Sequence, residues 1–175
     1  MTTDNWLGHY LNDHLADLPS CARLIECEIA RNTGTRMACC LRDVLAQVRQ
    51  DQARLRDLLR WIGAGESTVR KIGGWFIARL ARARPCAEGD VTAPGTLVQS
   101  LELLTLDLHR RVALWSTLHS VGPLYPALVG VDFAGLKERA QGQHDRVEQH
   151  RLEAAYAAFA LPAGSGDPEP GRKRA

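Results

Sequence analysis

Apolar residues return along this chain at alternating steps of three and four, the spacing of one face of an α-helix. Leu7, Leu11, Leu15, Leu18, Ala22, Ile25 and Ile29 make the first such stripe and predict a helix from about Asp4 to Asn32. Asp4 is its N-cap and Asn32-Thr33-Gly34 its stop. Pro19 falls inside and removes one backbone donor, which either kinks this helix or starts a new one; we keep it whole. A second stripe, Leu41, Leu45, Val48, Leu55, Leu59 and Ile62, predicts a helix from Thr35 to Ile62 with Gln52 in the stripe and Asp51 beside it. Gly63-Ala64-Gly65 ends it. A shorter segment follows from Ser67 to Arg84, closed by Pro85, and Ala87 to Gly95 reads as a loop.

Leu97, Leu101, Leu104, Leu108, Trp115 and Leu118 predict a further helix over Thr96 to Val121, stopped by Gly122-Pro123. Leu124 to Val131 is a short apolar connection. Asp132 caps the last helix, whose inner side carries Phe133, Leu136, Ala140, Val147, Ala154 and Ala158. The sequence predicts no strand and no repeat of fixed period.

The expected fold is therefore all-α: four long helices, each spanning roughly 40 Å at 1.5 Å per residue, in an antiparallel bundle. The stretch Gly63 to Gly95 is long enough to carry the chain from one end of such a bundle to the other, the connectivity of ferritin-like proteins. Residues 1–161 form this single domain. The tail 162–175, rich in Pro, Gly and charge, has nothing to bury and is expected to be disordered.

Composition narrows the function classes. Of 175 residues, 45% are hydrophobic and 24% charged, an ordinary globular balance, and the net charge of +2 supplies no field that would favour nucleic acid. No specific nucleic-acid partner is expected. The N-terminus has no basic region followed by an apolar run, and no apolar stretch reaches the ~18 residues of a membrane span, so a cytoplasmic protein is expected. Only three of the 22 basic residues are lysines, a bias that suggests a GC-rich bacterial genome. The five cysteines, Cys21, Cys27, Cys39, Cys40 and Cys86, lack Cys-x-x-Cys spacing and are expected to be free thiols in a reducing cytosol. The vicinal pair Cys39-Cys40 invites a redox reading, but side chains about 100° apart on a helix make a bridge between them strained.

Tyr10-Leu11-Asn12-Asp13-His14-Leu15-Ala16 resembles the opening helix of an uncharacterised group of bacterial ferritin-like proteins. The likeness continues through Trp75, Leu101-Glu102-Leu103, Leu114-Trp115 and Arg139-Ala140 to Ala154-Ala155, covering most of residues 5 to 160, with the first motif the specific one. It implies a ferritin-like fold and no particular activity.

Metal-binding ferritin-like proteins take a glutamate from each of two helices and Glu-x-x-His from each of the others, and no Glu-x-x-His occurs here. A reduced set of Glu28, Asp51, Glu102, His144 and Glu148 could hold iron or manganese in a bundle centre, and His9, Asp13 and His14 could hold zinc or iron on the first helix. The competing reading fills the same space with hydrogen bonds and ion pairs, using Gln52, His144 and Arg151 with Asp51 or Glu102. The segment Val69 to Arg84 carries Arg70, Lys71, Arg79, Arg82 and Arg84 among apolar residues without an acidic one, as in helices that lie on anionic surfaces. A crossover packed through Trp75, Phe76 and Leu80 explains it more simply, and membrane binding is not expected. No nucleophile motif, P-loop or dinucleotide fingerprint is present.

The leading expectation is a non-catalytic scaffold or interaction protein without cofactor. It would associate with itself as a homodimer, through Trp6, Tyr10 or Trp61, or with another protein. The alternative is a metal-dependent oxidoreductase or metal store, and the third an anionic-surface binder through residues 70–84.

Overall fold

The structure, a computed structural model, describes residues 3–64 and 94–160. Four long α-helices make up nearly all of them: α1 (Thr3–Arg31), α2 (Arg36–Trp61), α3 (Pro94–Val121) and α4 (Phe133–Phe159). Two 3-10 turns, Gly122–Leu124 and Pro126–Leu128, occupy the apolar connection before α4. The Ser67–Arg84 segment, with Arg70, Lys71, Arg79, Arg82 and Arg84, and the tail 162–175 lie outside the described residues.

Side-chain caps set two of the helix starts, Asp132 as read from the sequence and Thr35 in addition, while α1 begins at Thr3, so the expected cap Asp4 falls inside it. Thr35, extended at φ −88° and ψ 159°, accepts from the Ala38 amide and starts α2. Asp132 accepts from the Gly135 amide at 2.9 Å and starts α4. Helix α1 continues unbroken through Pro19. Gly34, Gly63 and Gly130 take positive φ of 84°, 71° and 88°, which ends helices and reverses the chain where other residues would be strained.

The helices pack as two hairpins, α1 with α2 and α3 with α4, joined by contacts of α1 with α3 and of α2 with α4. Gly8 of α1 lies against Ala64 just beyond α2, while Gly95 of α3 lies against Phe159 of α4. Trp61 of α2 and Val131 beside the start of α4 line the same cavity. These neighbours fix the directions. Each helix is antiparallel to the two it touches most, and α2 and α3, on the diagonal, run parallel. A parallel pair cannot be joined by a tight turn, so the link between α2 and α3 connects opposite ends of the bundle, as its length predicts.

The core is a nearly continuous leucine interior. Leu11, Ile25, Leu41, Leu55, Leu101, Leu104, Leu108 and Trp115 are fully or almost fully buried. Trp115 stacks on Phe133 with ring centroids 6.4 Å apart, closing one end of the bundle. Phe133 fits there because Gly122 has no side chain: a Cβ on Gly122 would stand 2.9 Å from its ring. The second stripe differs from expectation at one step, since Asp51 is buried and Gln52 only partly so. Among the described residues, no helix is long and apolar enough to cross a membrane.

Candidate functional site

Charge enters the apolar interior at the middle of the bundle. Asp51 on α2 and Arg111 on α3 meet across the diagonal, Arg111 Nη1 donating to Asp51 Oδ2 at 3.1 Å, with both side chains buried. Each occupies a core position in its own helix: Leu41, Val44, Val48, Asp51 and Leu55 step by three and four, as do Leu104, Leu108, Arg111 and Trp115. Cys21 of α1 stands close enough to both to feel their charge. On α4 the corresponding polar core residue is Gln143, buried and donating to Gln47 of α2. The four helices thus bring Cys21, Asp51, Arg111 and Gln143 to the interior.

Burial pushes the Asp51 carboxyl above the usual range, against the pull of Arg111 and, more weakly, of Arg139 and Arg54. Three guanidinium groups therefore surround one carboxylate, of which only Arg111 is hydrogen-bonded to it. Arg111 Nε and Nη2 are themselves buried without a hydrogen-bond partner among the described residues. A cavity of about 20 Å³ bounded by His14, Asp17, Cys21, Asp107, Arg110 and Arg111 adjoins them, and that is space for about one water.

The His14 imidazole lines this cavity, its ring edge-on to Tyr10 at 4.7 Å. Burial, assisted by the Arg110 charge, lowers its pKa to about 4, so it is neutral near pH 7. Arg110 forms an ion pair with Asp17, yet burial still raises the Asp17 carboxyl. His9, on the exposed side, approaches the Trp6 ring at 6.4 Å, and Asp13 is partly buried.

Glu28, Asp51, Glu102, His144 and Glu148 are not brought together. Glu28 is buried at the end of α1, where it accepts from Arg31 at 3.1 Å and Asn32 at 3.3 Å. Asp51 belongs to Arg111. Glu148 is held by Arg151 through two hydrogen bonds of 2.6 and 2.7 Å, and Glu102 lies 3.7 Å from the same arginine. His144 is hydrogen-bonded to its neighbour Asp145 and stands edge-on to His109 at 5.9 Å. Each of these carboxylates faces an arginine, which competes for the lone pairs a cation would use. Among the described residues, no group of three or more His, Cys, Asp or Glu side chains is arranged to hold a metal ion, and this includes His9, Asp13 and His14.

The thiols divide by position. Cys21 is fully buried and its pKa is pushed up to about 12, first by burial and then by nearby Asp107, so the reactive thiolate is scarce. Cys39 is exposed, and Cys40, next to it, is partly buried with a raised pKa; both are free, so no bridge joins the vicinal pair. Cys27 departs from the expectation of free thiols throughout, since it is disulfide-bonded.

A much larger cavity, about 740 Å³, opens at the end of the bundle where α2 stops and α4 begins. Arg54 and Trp61 of α2 form one wall, Arg139 and Leu136 of α4 another, and the Val129–Asp132 turn the rim. No motif announces it, because its parts come from two helices and a loop. Comparison of the chain with protein-family models, with curated proteins and with solved structures finds no match.

Proposed function

We propose that this protein is a non-catalytic ferritin-like bundle that works by binding, as a scaffold or interaction protein of the bacterial cytoplasm. The observation that carries this reading is the Asp51–Arg111 ion pair at the middle of the bundle. An arginine fixed there places a permanent positive charge where a di-metal centre would need carboxylates. The parallel α2 and α3 with their long link support the ferritin-like connectivity.

Self-association is the binding mode that the surface favours. Leu152, Tyr156 and Phe159 are spaced by four and three along α4 and are all exposed, 54%, 78% and 65%. Trp6 and Trp61 are exposed as well, whereas Tyr10 is turned partly inward. Apolar side chains repeating on one helix face are the usual material of a helix–helix dimer.

Metal content by mass spectrometry of tag-free protein, before and after dialysis against iron, manganese or zinc, tests the reading together with sedimentation equilibrium. The expected result is far less than one metal per chain, stability indifferent to chelator, and a dimer mass that reverts to monomer in the Y156E variant. One metal or more per chain, lost in H144A or E148A, would replace this reading with a metal-dependent oxidoreductase or storage protein.

A further inference from the structure

The 740 Å³ cavity at the α2/α4 end combines two features that are seldom adjacent by default. Arg54 and Arg139 line it, and neither makes a hydrogen bond or salt bridge among the described residues. Both lie near enough to Asp51 to depress its pKa, but that carboxylate is already bonded to Arg111. The local balance is three guanidinium groups against one buried carboxylate. Asp132, the acidic residue of the described lining, is engaged as the cap of α4. Besides the charges, Trp61, Val129, Val131 and Leu136 make the lining partly apolar, with Trp61 48% and Val129 72% exposed.

We propose that this cavity binds a small organic anion, its carboxylate or phosphate held between Arg54 and Arg139 and its apolar or aromatic body laid on Trp61. Guanidinium groups offer paired donors that match the oxygen spacing of both anions. The indole ring offers a flat apolar face to the remainder of the ligand. The volume lies within the range of roughly 300–1,000 Å³ usual for small-molecule sites. Because Asp51 already neutralises Arg111, an entering anion meets the two remaining arginines and displaces no ion pair. The site is independent of the metal-free reading above, since neither arginine belongs to a ligand set for a metal.

The test is a titration of full-length protein followed by nuclear magnetic resonance at the Trp61 indole N–H, assigned with W61F. The probes are 2-naphthoate and 1-naphthyl phosphate, with 2-naphthalenemethanol as the neutral counterpart and inorganic phosphate as the bare anion. Saturable shifts are expected for the naphthyl anions, with binding at least tenfold weaker for the alcohol and for inorganic phosphate. The relative affinity of the two naphthyl anions then tells a carboxylate ligand from a phosphate one. In R54Q/R139Q, whose exposed changes leave the core intact, anion binding should weaken at least tenfold while the alcohol is unaffected. Equal binding of alcohol and anions, unchanged affinity in R54Q/R139Q, or no saturable shift with either anion would each overturn the proposal.

Discussion

Arg111 on α3 reaches diagonally through the bundle to Asp51 on α2, and both partners of the 3.1 Å contact between Nη1 and Oδ2 are buried in the bundle interior. Desolvating two charges costs several kcal/mol per ion before their attraction returns anything, so the pair is a poor source of net stability. What it does supply is discrimination. Sliding either helix by one turn would set a charge against leucine, and that arrangement is far costlier than the native one.

Removing one partner should therefore hurt more than removing both. Arg111→Met leaves the Asp51 carboxylate buried and unpaired, and should cost about 3–5 kcal/mol in urea unfolding at neutral pH. Adding Asp51→Leu to it should restore most of that loss. A double variant no more stable than Arg111→Met would mean the pair is not coupled as its geometry indicates.

His14 gives an acid-range signature. Its folded pKa of about 4 is below the ordinary histidine value of 6.5, so the unfolded chain binds the extra proton between those values. Its contribution to stability is present above pH 6.5 and lost as pH falls through about 4. The stability difference between wild type and His14→Gln should widen from pH 4 to 7, by about 3 kcal/mol at most at 1.36 kcal/mol per unit. Asp51 and Asp17, with raised pKa values, act in the opposite sense, favouring the fold below their ordinary pKa of 3.8 and losing that contribution as pH rises. A flat difference curve for His14→Gln would show that the ring is not held neutral by the fold.

The thiols should label in order of access. Iodoacetamide at pH 7.5 should modify Cys39 first, Cys40 more slowly, and Cys21 only after denaturant is added. Peptide mass spectrometry reads this directly. Modification of Cys21 in the native protein at a rate near that of Cys39 would contradict its burial.

Gly122 should not accept a side chain. The missing Cβ leaves the space that the Phe133 ring fills, and Gly122→Ala should destabilise by about 1–3 kcal/mol through overpacking. Gly122→Ala combined with Phe133→Leu should be milder than the sum of the two. If Gly122→Ala alone leaves the melting temperature unchanged, the contact is looser than the 2.9 Å approach implies.

Much of this architecture was legible in the chain. The stripes of α1 and α3, the cap at Asp132 and the glycine stops each depend on local spacing, and local spacing is what sequence displays. The interior polar layer was legible only in part. Treating Gln52 as the stripe residue misplaced one step, because Leu41, Val44 and Val48 already lead to Asp51 by three-residue and four-residue steps. Arg111 continues the run Leu104, Leu108 toward Trp115, and a charge at that position is the sequence signal of a buried pair. For the five-residue metal set the warning is partial: Arg31 and Arg151 stand three residues after Glu28 and Glu148 on the same helices, and Arg151 is already a candidate partner of Glu102, whereas the pairing of Asp51 with Arg111 joins different helices and is set only by neighbours in space. The cavity of Arg54, Trp61 and Arg139 is drawn from separate elements and has no linear trace.

The pairing of α1 with α2 and of α3 with α4 also has a kinetic consequence. Each hairpin can form from contacts near in sequence, which are quick to find, whereas the meeting of the two hairpins must strip water from Asp51 and Arg111 together. The ion pair then acts as a toll gate late on the folding route, slowing the union of two ready-made halves. Exchanging both charges for leucine and methionine should make stopped-flow refolding faster, and an unchanged rate would place that dehydration after the barrier.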